Sequence, residues 1–392
     1  MNLSDILCYS HAVLHIILHL AVMLGVFLEW NRDRKTAESP NAKVSVIIPI
    51  HNESKRMQGL MRTLINQTYK AQIIFIDDRS SDESPAILAQ FAKDAKERGI
   101  ECKIITLSEN PGPNFKQFAL SRGITESDGD YYLFTDGDCE VPPEWINTMV
   151  SRIQNEKTGA VLGPVFKKKD NMEFLSIFQS YDHILRYNYL TGSTGLGAAG
   201  GGFGNNLIIS KKALNAIGGY DAIPPSPTED ASLISQIRGT SSEAGGEKFL
   251  IRAITSGSAA VKTESEKTWP SFLNQSLRWH NGGLFSPEIF TRLNYNLLSL
   301  IIGTGILAIP FVPFFPRLWP LPIGVLINMI MNTIAAFTLY KKEFPHNDLR
   351  YQLGYILCLL FMPVYFTLIT IMSYAKIKTT WKNEELKIKK EK

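Results

Sequence analysis

Hydrophobic positions along this chain fall into two kinds of run. Long unbroken runs lie near the ends, and short ones alternate with amphipathic stretches between them. Residues 12–28, AVLHIILHLAVMLGVFL, approach the roughly 20 apolar residues that cross a bilayer as a helix. A cleaved leader would carry its positive charge before the run, whereas Arg32, Arg34 and Lys35 follow this one. An uncleaved anchor over 1–31, with its C-terminal end in the cytoplasm, is therefore expected. His11, His15 and His19 share one face of that helix at a spacing that would suit a metal. The favoured reading is polar residues facing another helix or the lipid headgroups.

Three later runs, 296–316, 318–340 and 351–374, are each long enough to span, giving about three membrane helices over 296–375. Pro310, Pro313, Pro320, Pro322 and Pro363 predict kinks or breaks in them. If 41–270 is cytoplasmic, three crossings put the tail 376–392 outside. Its lysines, Lys376, Lys378, Lys382, Lys387, Lys389, Lys390 and Lys392, favour the inside. One segment is thus expected to be re-entrant or interfacial.

The middle of the chain alternates strand and helix. KVSVIIPI (43–50), AQIIFIDD (71–78), CKIITL (102–107) and YYLFTD (131–136) read as strands. Helices are expected over 54–67, from a Ser80–Glu83 capping box to about Arg98, and from Phe115 to Ile124. Such alternation predicts an α/β unit with a largely parallel sheet, which binds ligands beyond the carboxyl ends of its strands. Charge changes this picture little. Lys and Arg (41) nearly balance Asp and Glu (37), a formal net charge of +4 over 392 residues, so no nucleic-acid partner is implied. Cys8, Cys102, Cys139 and Cys358 show neither zinc nor disulfide spacing and read as reduced structural thiols.

The candidate chemistry gathers at one sheet edge. His51, Asn52 and Glu53 follow the first strand, Asp77 and Asp78 end the second, and Asp136 and Asp138 end the fourth. Any one cluster is ordinary turn chemistry taken singly; three on one edge point to a site. In FTDGDCE (134–140), Asp136 and Asp138 share a face of an extended segment. At roughly 5 Å and an effective dielectric of about 20 they repel by about 3 kcal/mol. Water, a basic neighbour or a cation would offset that. Mg2+ and Mn2+ bind through one or two carboxylates plus substrate phosphates, and Gly137 would leave their approach open. Lys116 would add positive charge near the phosphates, or simply lie on a helix surface.

GLGAAG (195–200) fits the dinucleotide fingerprint literally. The preceding FQSYDHILRYNYL reads as helix rather than strand, so a glycine-rich acceptor wall running on to Gly204, Asn205 and Asn206 is preferred. Asn52, Asn66 and Asn274 lie in glycosylation triplets, which a cytoplasmic domain leaves unused.

Over roughly residues 41–285 the chain resembles the membrane-bound family 2 glycosyltransferases. VSVIIPIHNE looks like that family's opening strand and its Pro-x-x-Asn-Glu turn. IDDRSSDES looks like the nucleotide-binding aspartate segment and TDGDCE like the metal-binding Asp-x-Asp. PTED (227–230) looks like the Thr-Glu-Asp element, and QSLRW (275–279) like Gln-x-x-Arg-Trp. Each string is weak alone; together they occur in the family's order.

The resemblance implies an α/β GT-A domain over 41–270 that binds a nucleotide-sugar, an interfacial segment over 271–295, and flanking transmembrane helices. It implies an inverting glycosyltransferase, assisted by Mg2+ or Mn2+, that uses a UDP- or GDP-linked sugar. Glu53 and Asp78, with Pro49, Asn52 and Lys116, would bind the donor. Asp136 would lie near the ribose or sugar and share the metal with Asp138. Asp230 would be the base. Glu229 beside it either shares that role or favours the helix dipole. Gln275, Arg278 and Trp279 would close over the diphosphate and acceptor entrance. Read without the resemblance, Thr228 and the acids after it are an ordinary helix start, and Trp279 an interfacial aromatic.

Segments 173–190 and 269–279 mix aromatic and charged residues, as a membrane-surface helix does and as core helices also do. An integral, multi-pass location in the inner or cell membrane, with the catalytic domain cytoplasmic, suits a lipid acceptor. A processive polysaccharide synthase with a glycan acceptor is the alternative, because Gln-x-x-Arg-Trp occurs in processive members. The few proline-interrupted spans make a polymer channel less attractive. A nucleotidyltransferase on a similar fold would release pyrophosphate instead. A membrane scaffold retaining the fold is the non-enzymatic alternative, opposed by intact Asp138, Asp230 and Arg278.

Overall fold

The computed structural model describes residues 2–33, 41–154, 157–168, 173–226, 228–240, 248–286, 288–340, 348–377, 380–381 and 384–385. Arg34, Lys35, Pro227 and all the tail lysines but Lys376 lie outside the described residues. The chain forms two compact units. One contains Met1–Phe27, Lys167–Ala198 and Ser265–Glu385; the other contains Leu28–Phe166 and Ala199–Glu264.

The second unit is built on a sheet of seven strands. They are Val44–Ile50 (β1), Gln72–Asp78 (β2), Cys102–Leu107 (β3), Tyr131–Phe134 (β4), Thr158–Leu162 (β5), Leu207–Ser210 (β6) and Leu250–Ala253 (β7). Their order is β3-β2-β1-β4-β6-β5-β7. β1 runs parallel to β2 and β4, and β2 to β3, whereas β6 is antiparallel to both β4 and β5. The unbroken apolar run of β1 follows from burial on both faces. Val46, Ile48 and Ile50 pack with Phe75, Leu133 and Trp145, whereas Ile47 packs with Ile74, Ile76, Leu120 and Phe134.

In sequence order the unit's helices are the last residues of α1 (Leu3–Asp33), then α2 (Gln58–Leu64), α3 (Ser84–Glu97), α4 (Phe115–Thr125) and α5 (Trp145–Ile153). In the helical unit comes α6 (Phe174–Gly195), before α7 (Lys211–Ala216) and α8 (Glu229–Gly239) return to the sheet. α2 is shorter than expected, and the Ser80–Glu83 capping box does not form. α3 starts at Ser84 with Glu83 uncapped at its N-cap and proline in its first turn. Asp82 takes over instead. Burial would raise its carboxyl, but hydrogen bonds from Ser54 and Ser84 outweigh that and hold it well below the usual range.

The helical unit holds most of α1, α6, α9 (Trp269–Leu284), α10 (Ile289–Ala308), α11 (Pro320–Leu339) and α12 (Leu349–Tyr374). Among the described residues, four helical segments, Leu3–Asp33, Thr291–Phe311, Pro316–Leu339 and Leu349–Tyr374, are long and apolar enough to cross a membrane. The prolines mostly punctuate these helices rather than kink them. Pro310 falls in a 3-10 turn after α10, Pro320 opens α11, and Pro363 alone of the five lies well inside a helix, α12. α6 and α9 pack as core helices. Phe178 lies 5.9 Å from the Phe272 ring and 5.1 Å from that of Tyr365. α1 and α6 approach so closely that a Cβ on Gly25 would lie 1.9 Å from the Gly192 carbonyl oxygen. His11 Nε2 lies 2.8 Å from the Ile301 carbonyl oxygen and 2.9 Å from Thr304 Oγ1, facing α10.

Candidate active site

The β1–β2 register pairs Ile50 with Asp77, so the turn after β1 is level with the acids that end β2. Pro49 sits inside β1 opposite Ile76. Asn52 adopts a left-handed φ of 56°, which Asn tolerates better than most residues. Its side-chain oxygen accepts from the Ser81 N–H (2.8 Å), and its own N–H donates to Ser80 Oγ (3.0 Å). Glu53 donates its N–H to Ser84 Oγ (2.9 Å), and its carboxylate pairs with Arg56 Nη2 (2.6 Å). Asp78 is buried and accepts from Arg79 Nε (2.8 Å) and Asn110 Nδ2 (2.9 Å).

β4 delivers the acid pair. Its register sets Phe134 opposite Ile47, and in the turn that follows Gly137 lies against Ile50. A Cβ at Gly137 would lie 2.7 Å from Ile50 Cδ1 and 3.1 Å from Glu53 Cγ. These contacts give the glycine a packing reason distinct from the one read in the sequence: the Asp136–Asp138 loop lies directly on Glu53.

Lys116, in the first turn of α4, places Nζ 2.6 Å from Asp136 Oδ1, with its side chain only 19% exposed. It is not a surface lysine. Burial would lower its pKa, but Asp136, Glu229 and Asp230 together raise it above the ordinary value. A basic neighbour therefore offsets part of the acid-pair repulsion. Asp138 accepts from Thr263 Oγ1 (3.3 Å) and lies 3.6 Å from Arg56 Nη1.

Asp230 belongs to the first turn of α8. Thr228 is the N-cap residue, but its side chain makes no capping bond. Asp230 Oδ1 accepts from the Ala231 N–H and Oδ2 from the Gly204 N–H, both at 2.8 Å. Burial and the adjacent Glu229 carboxylate push the Asp230 carboxyl up to about 7, against the pull of those N–H groups and Lys116. The same acids, with burial foremost, push the Tyr220 hydroxyl well up.

The three residues read as an acceptor wall differ. Gly204 holds Asp230. Asn205 Nδ2 lies 3.6 Å from Cys139 Sγ. Asn206 is fully buried, accepting from Trp145 Nε1 and donating to the Pro164 and Ala259 carbonyls, each at 2.8 Å.

Gln275, Arg278 and Trp279 lie on α9, in the helical unit. Gln275 Nε2 donates to Glu266 Oε1 (3.2 Å), and the Trp279 ring lies 5.4 Å from that of His183 and 5.7 Å from the Arg186 guanidinium. Arg56, Thr263 and Tyr220 were not read from the sequence. Arg56 follows Glu53 by three residues, a spacing that suits pairing with it on one helical turn. Thr263 and Tyr220 carry no local signal.

Among the described residues, no three His, Cys, Asp or Glu side chains form a metal cage. The donor set expected from the sequence is the Asp136–Asp138 pair. Such a pair fits a hard cation that completes its shell with water and phosphate oxygens.

The Glycosyl transferase family 2 model matches residues 45–218, and the Glycosyl transferase family group 2 model matches residues 133–374, more than half of the chain. A beta-monoglucosyldiacylglycerol synthase of Trichormus variabilis is 25% identical over 318 residues, 76% of this chain; the chain spans 64% of that protein's length. A probable glycosyltransferase of Bacillus subtilis, YdaM, is 25% identical over 374 residues, covering 91% of this chain and 79% of that one. Among solved structures, a mannosyltransferase from Pyrobaculum calidifontis in complex with GDP-Man and Mn2+ superposes with a TM-score of 0.51. At 14% identity, over 94% of this chain and 99% of that one, this is a likeness of fold, the α/β GT-A architecture flanked by apolar helices. With family models spanning the sheet edge and the helices that follow it, the chain belongs to the family 2 glycosyl transferases.

Proposed function

We propose that the protein transfers a sugar from a UDP- or GDP-linked donor to a membrane lipid, with inversion at the anomeric carbon. The observation that carries this reading is Lys116. One buried ammonium is stabilised by Asp136 at the end of β4 and by Glu229 and Asp230 on α8, so acids far apart in sequence share one charged centre. In this reading Glu53, Asp78, Asn52 and Pro49 form the donor end, and Asp230 is the base.

Asp230 is suited to that work. A carboxyl whose pKa lies near the operating pH balances availability of the base against its proton affinity. The Gly204 and Ala231 N–H groups fix its oxygens, so it meets an acceptor hydroxyl in one orientation. Glu229 tunes Asp230 by repulsion. Lys116 limits that upward shift, keeping a useful fraction ionised at neutral pH. Asp138 and Asp136 would hold Mg2+ or Mn2+, which supplies charge neutralisation for the leaving diphosphate. Gly204 and Asn205 border the acceptor, and Asn206 braces their loop from beneath. Roles for Gln275, Arg278 and Trp279 at the donor rest on the motif alone.

The lipid acceptor is supported by the four helices among the described residues that are able to span a bilayer and by the Trichormus variabilis relative, which is named as a synthase of a monoglucosyldiacylglycerol. A donor screen with membrane extract, read by mass analysis of new glycolipids, tests it. Nucleoside diphosphate release with a glycolipid product is expected. Polymer as the product would favour the synthase reading, and no nucleotide release from any sugar donor would favour a scaffold.

A further inference from the structure

Asp230 stands in the first turn of α8, and the Thr228 side chain makes no capping bond to that turn. Its place is set from upstream. The segment leading into it opens with a 3-10 turn (Tyr220–Ala222), and three side chains of α4 hold it. Ser121 Oγ donates to Asp221 Oδ1, Gln117 Nε2 to the Ile223 carbonyl (2.8 Å) and Asn114 Nδ2 to the Ser226 carbonyl (2.7 Å). Positions 114, 117 and 121 are three and four residues apart and so share one face of the helix. As the segment advances from 221 to 226, its partners step back from 121 to 114, about 10 Å at 1.5 Å per residue. The segment is therefore a strap running antiparallel to α4. It ends beside the helix's first turn, where Lys116 stands.

Two of the three acceptors are main-chain carbonyls, so the grip fixes the backbone path rather than a side chain that could rotate. Asn114 and Gln117 are both buried, and the Asn114 side-chain oxygen accepts from the Gln117 N–H (3.2 Å), closing the start of α4. Ser226 Oγ in turn accepts from the Thr228 N–H (3.2 Å), which carries the constraint to the start of α8. Hydrogen bonds of this kind add modestly to stability. Their geometric effect is larger, because a reacting group misplaced by about 1 Å can cost about a hundredfold in rate.

We propose that Gln117 and Asn114 are positioning residues for the base: through the 221–226 strap, α4 sets the place of Asp230. This rests on the reading of Asp230 as the base. One helix then sets both its charge, through Lys116, and its position. The groups facing Asp230 are Glu229 from α8, Lys116 from α4 (itself paired with Asp136 at the end of β4), Tyr220 from the strap, and the Gly204 and Ala231 N–H groups. Burial is the foremost cause of its raised carboxyl. A strap released from α4 lets water in, and the carboxyl falls back toward its ordinary value.

The test uses the full chain purified in detergent, as wild type, Gln117→Met and Asn114→Ser. Serine keeps an N-cap oxygen for α4 but is too short to hold the Ser226 carbonyl. Hydrogen exchange in peptides covering 220–226 is expected to speed up about tenfold in both variants, with β1 and β4 unchanged. The fall in melting temperature from pH 5 to pH 8 should shrink, because less of the Asp230 penalty remains. With the UDP- or GDP-sugar that the donor screen selects, kcat should drop about tenfold or more while the donor KM changes less than about twofold. The pH midpoint of transfer should move below that of the wild type. Lower stability with kcat and midpoint unchanged would be a structural role alone and overturns the proposal, as do exchange rates like those of the wild type. Asp230→Asn separates the two readings. If it still transfers, the base is misassigned and the proposal falls with it. If it is inactive while both α4 variants transfer like the wild type, the base stands and only the strap proposal falls. Asn114→Ser reads the strap if Gln117→Met does not fold.

Discussion

Asp230→Asn is expected to make the protein inactive and, at alkaline pH, more stable. The rise of the Asp230 carboxyl from 3.8 to about 7 corresponds to about 4 kcal/mol at 1.36 kcal/mol per unit. Below about pH 4 the folded and unfolded states both hold the proton. Between pH 4 and 7 only the folded state does, so stability falls as pH rises, and above 7 the whole penalty is present. Asparagine escapes that penalty. Its NH2 group cannot accept, however, so either the Gly204 or the Ala231 N–H loses its acceptor, at about 1–3 kcal/mol. The net expectation is a gain of about 1–3 kcal/mol at pH 8, a rise of a few degrees in melting temperature. The gain should shrink towards pH 5 and become a loss near pH 4. Transfer should fall by about 100- to 10,000-fold, the usual worth of a positioned base, while donor affinity stays nearly unchanged. Melting curves at pH 5 and 8, nucleotide release and donor titration read the three quantities. A variant that melts below the wild type at pH 8 would refute the electrostatic argument. Donor affinity lost in step with transfer would refute the role.

For the wild type, transfer should rise with pH and level off above about 7, since the base works only when ionised; a rate that is flat across pH 5–8 would contradict this. Asp138→Asn should weaken donor binding measured with Mn2+ or Mg2+ and leave the metal-free value nearly unchanged; metal dependence like that of the wild type would remove Asp138 as a ligand. Lys116→Met should raise the donor KM by at least tenfold and shift the pH midpoint of transfer upward, because a cation that favours the Asp230 carboxylate is gone. Gly137→Ala should cost about 1–3 kcal/mol of stability, read as a lower melting temperature, because its Cβ meets Ile50 and Glu53.

Much of the sheet edge was legible. β1, β2 and β4 fall where apolar runs bounded by turn residues placed them, because strands buried on both faces are nearly continuous in apolar residues, and the half-exposed edge strand β3 still shows as the short run CKIITL. The placement of Asp78, Asp136 and Asp138 at this edge was legible for a related reason: acids at or just beyond the end of a buried strand stand out. The capping box was misread because Ser80 serves Asn52, a partner 28 positions away in sequence that no local rule contains. Lys116 could be read either as a surface residue or as a phosphate contact, and only its pairing with Asp136 removes the first reading. Asn206 looked like its neighbours in a polar loop, yet its side chain spans the core to Trp145, Pro164 and Ala259.

By itself the sequence determined the α/β alternation, the apolar helices and the family's motifs, because these are periodicities and short strings, written locally. Tertiary structure alone decided that β6 enters the sheet antiparallel, that α6 leaves the middle of the chain to join the helical unit, and that Asp136, Glu229 and Asp230 meet around Lys116. It alone raised Asp230 to about 7. The reason is physical: a charge's energy depends on which groups and how much water surround it in space, and burial brings together residues whose separation along the chain says nothing about either.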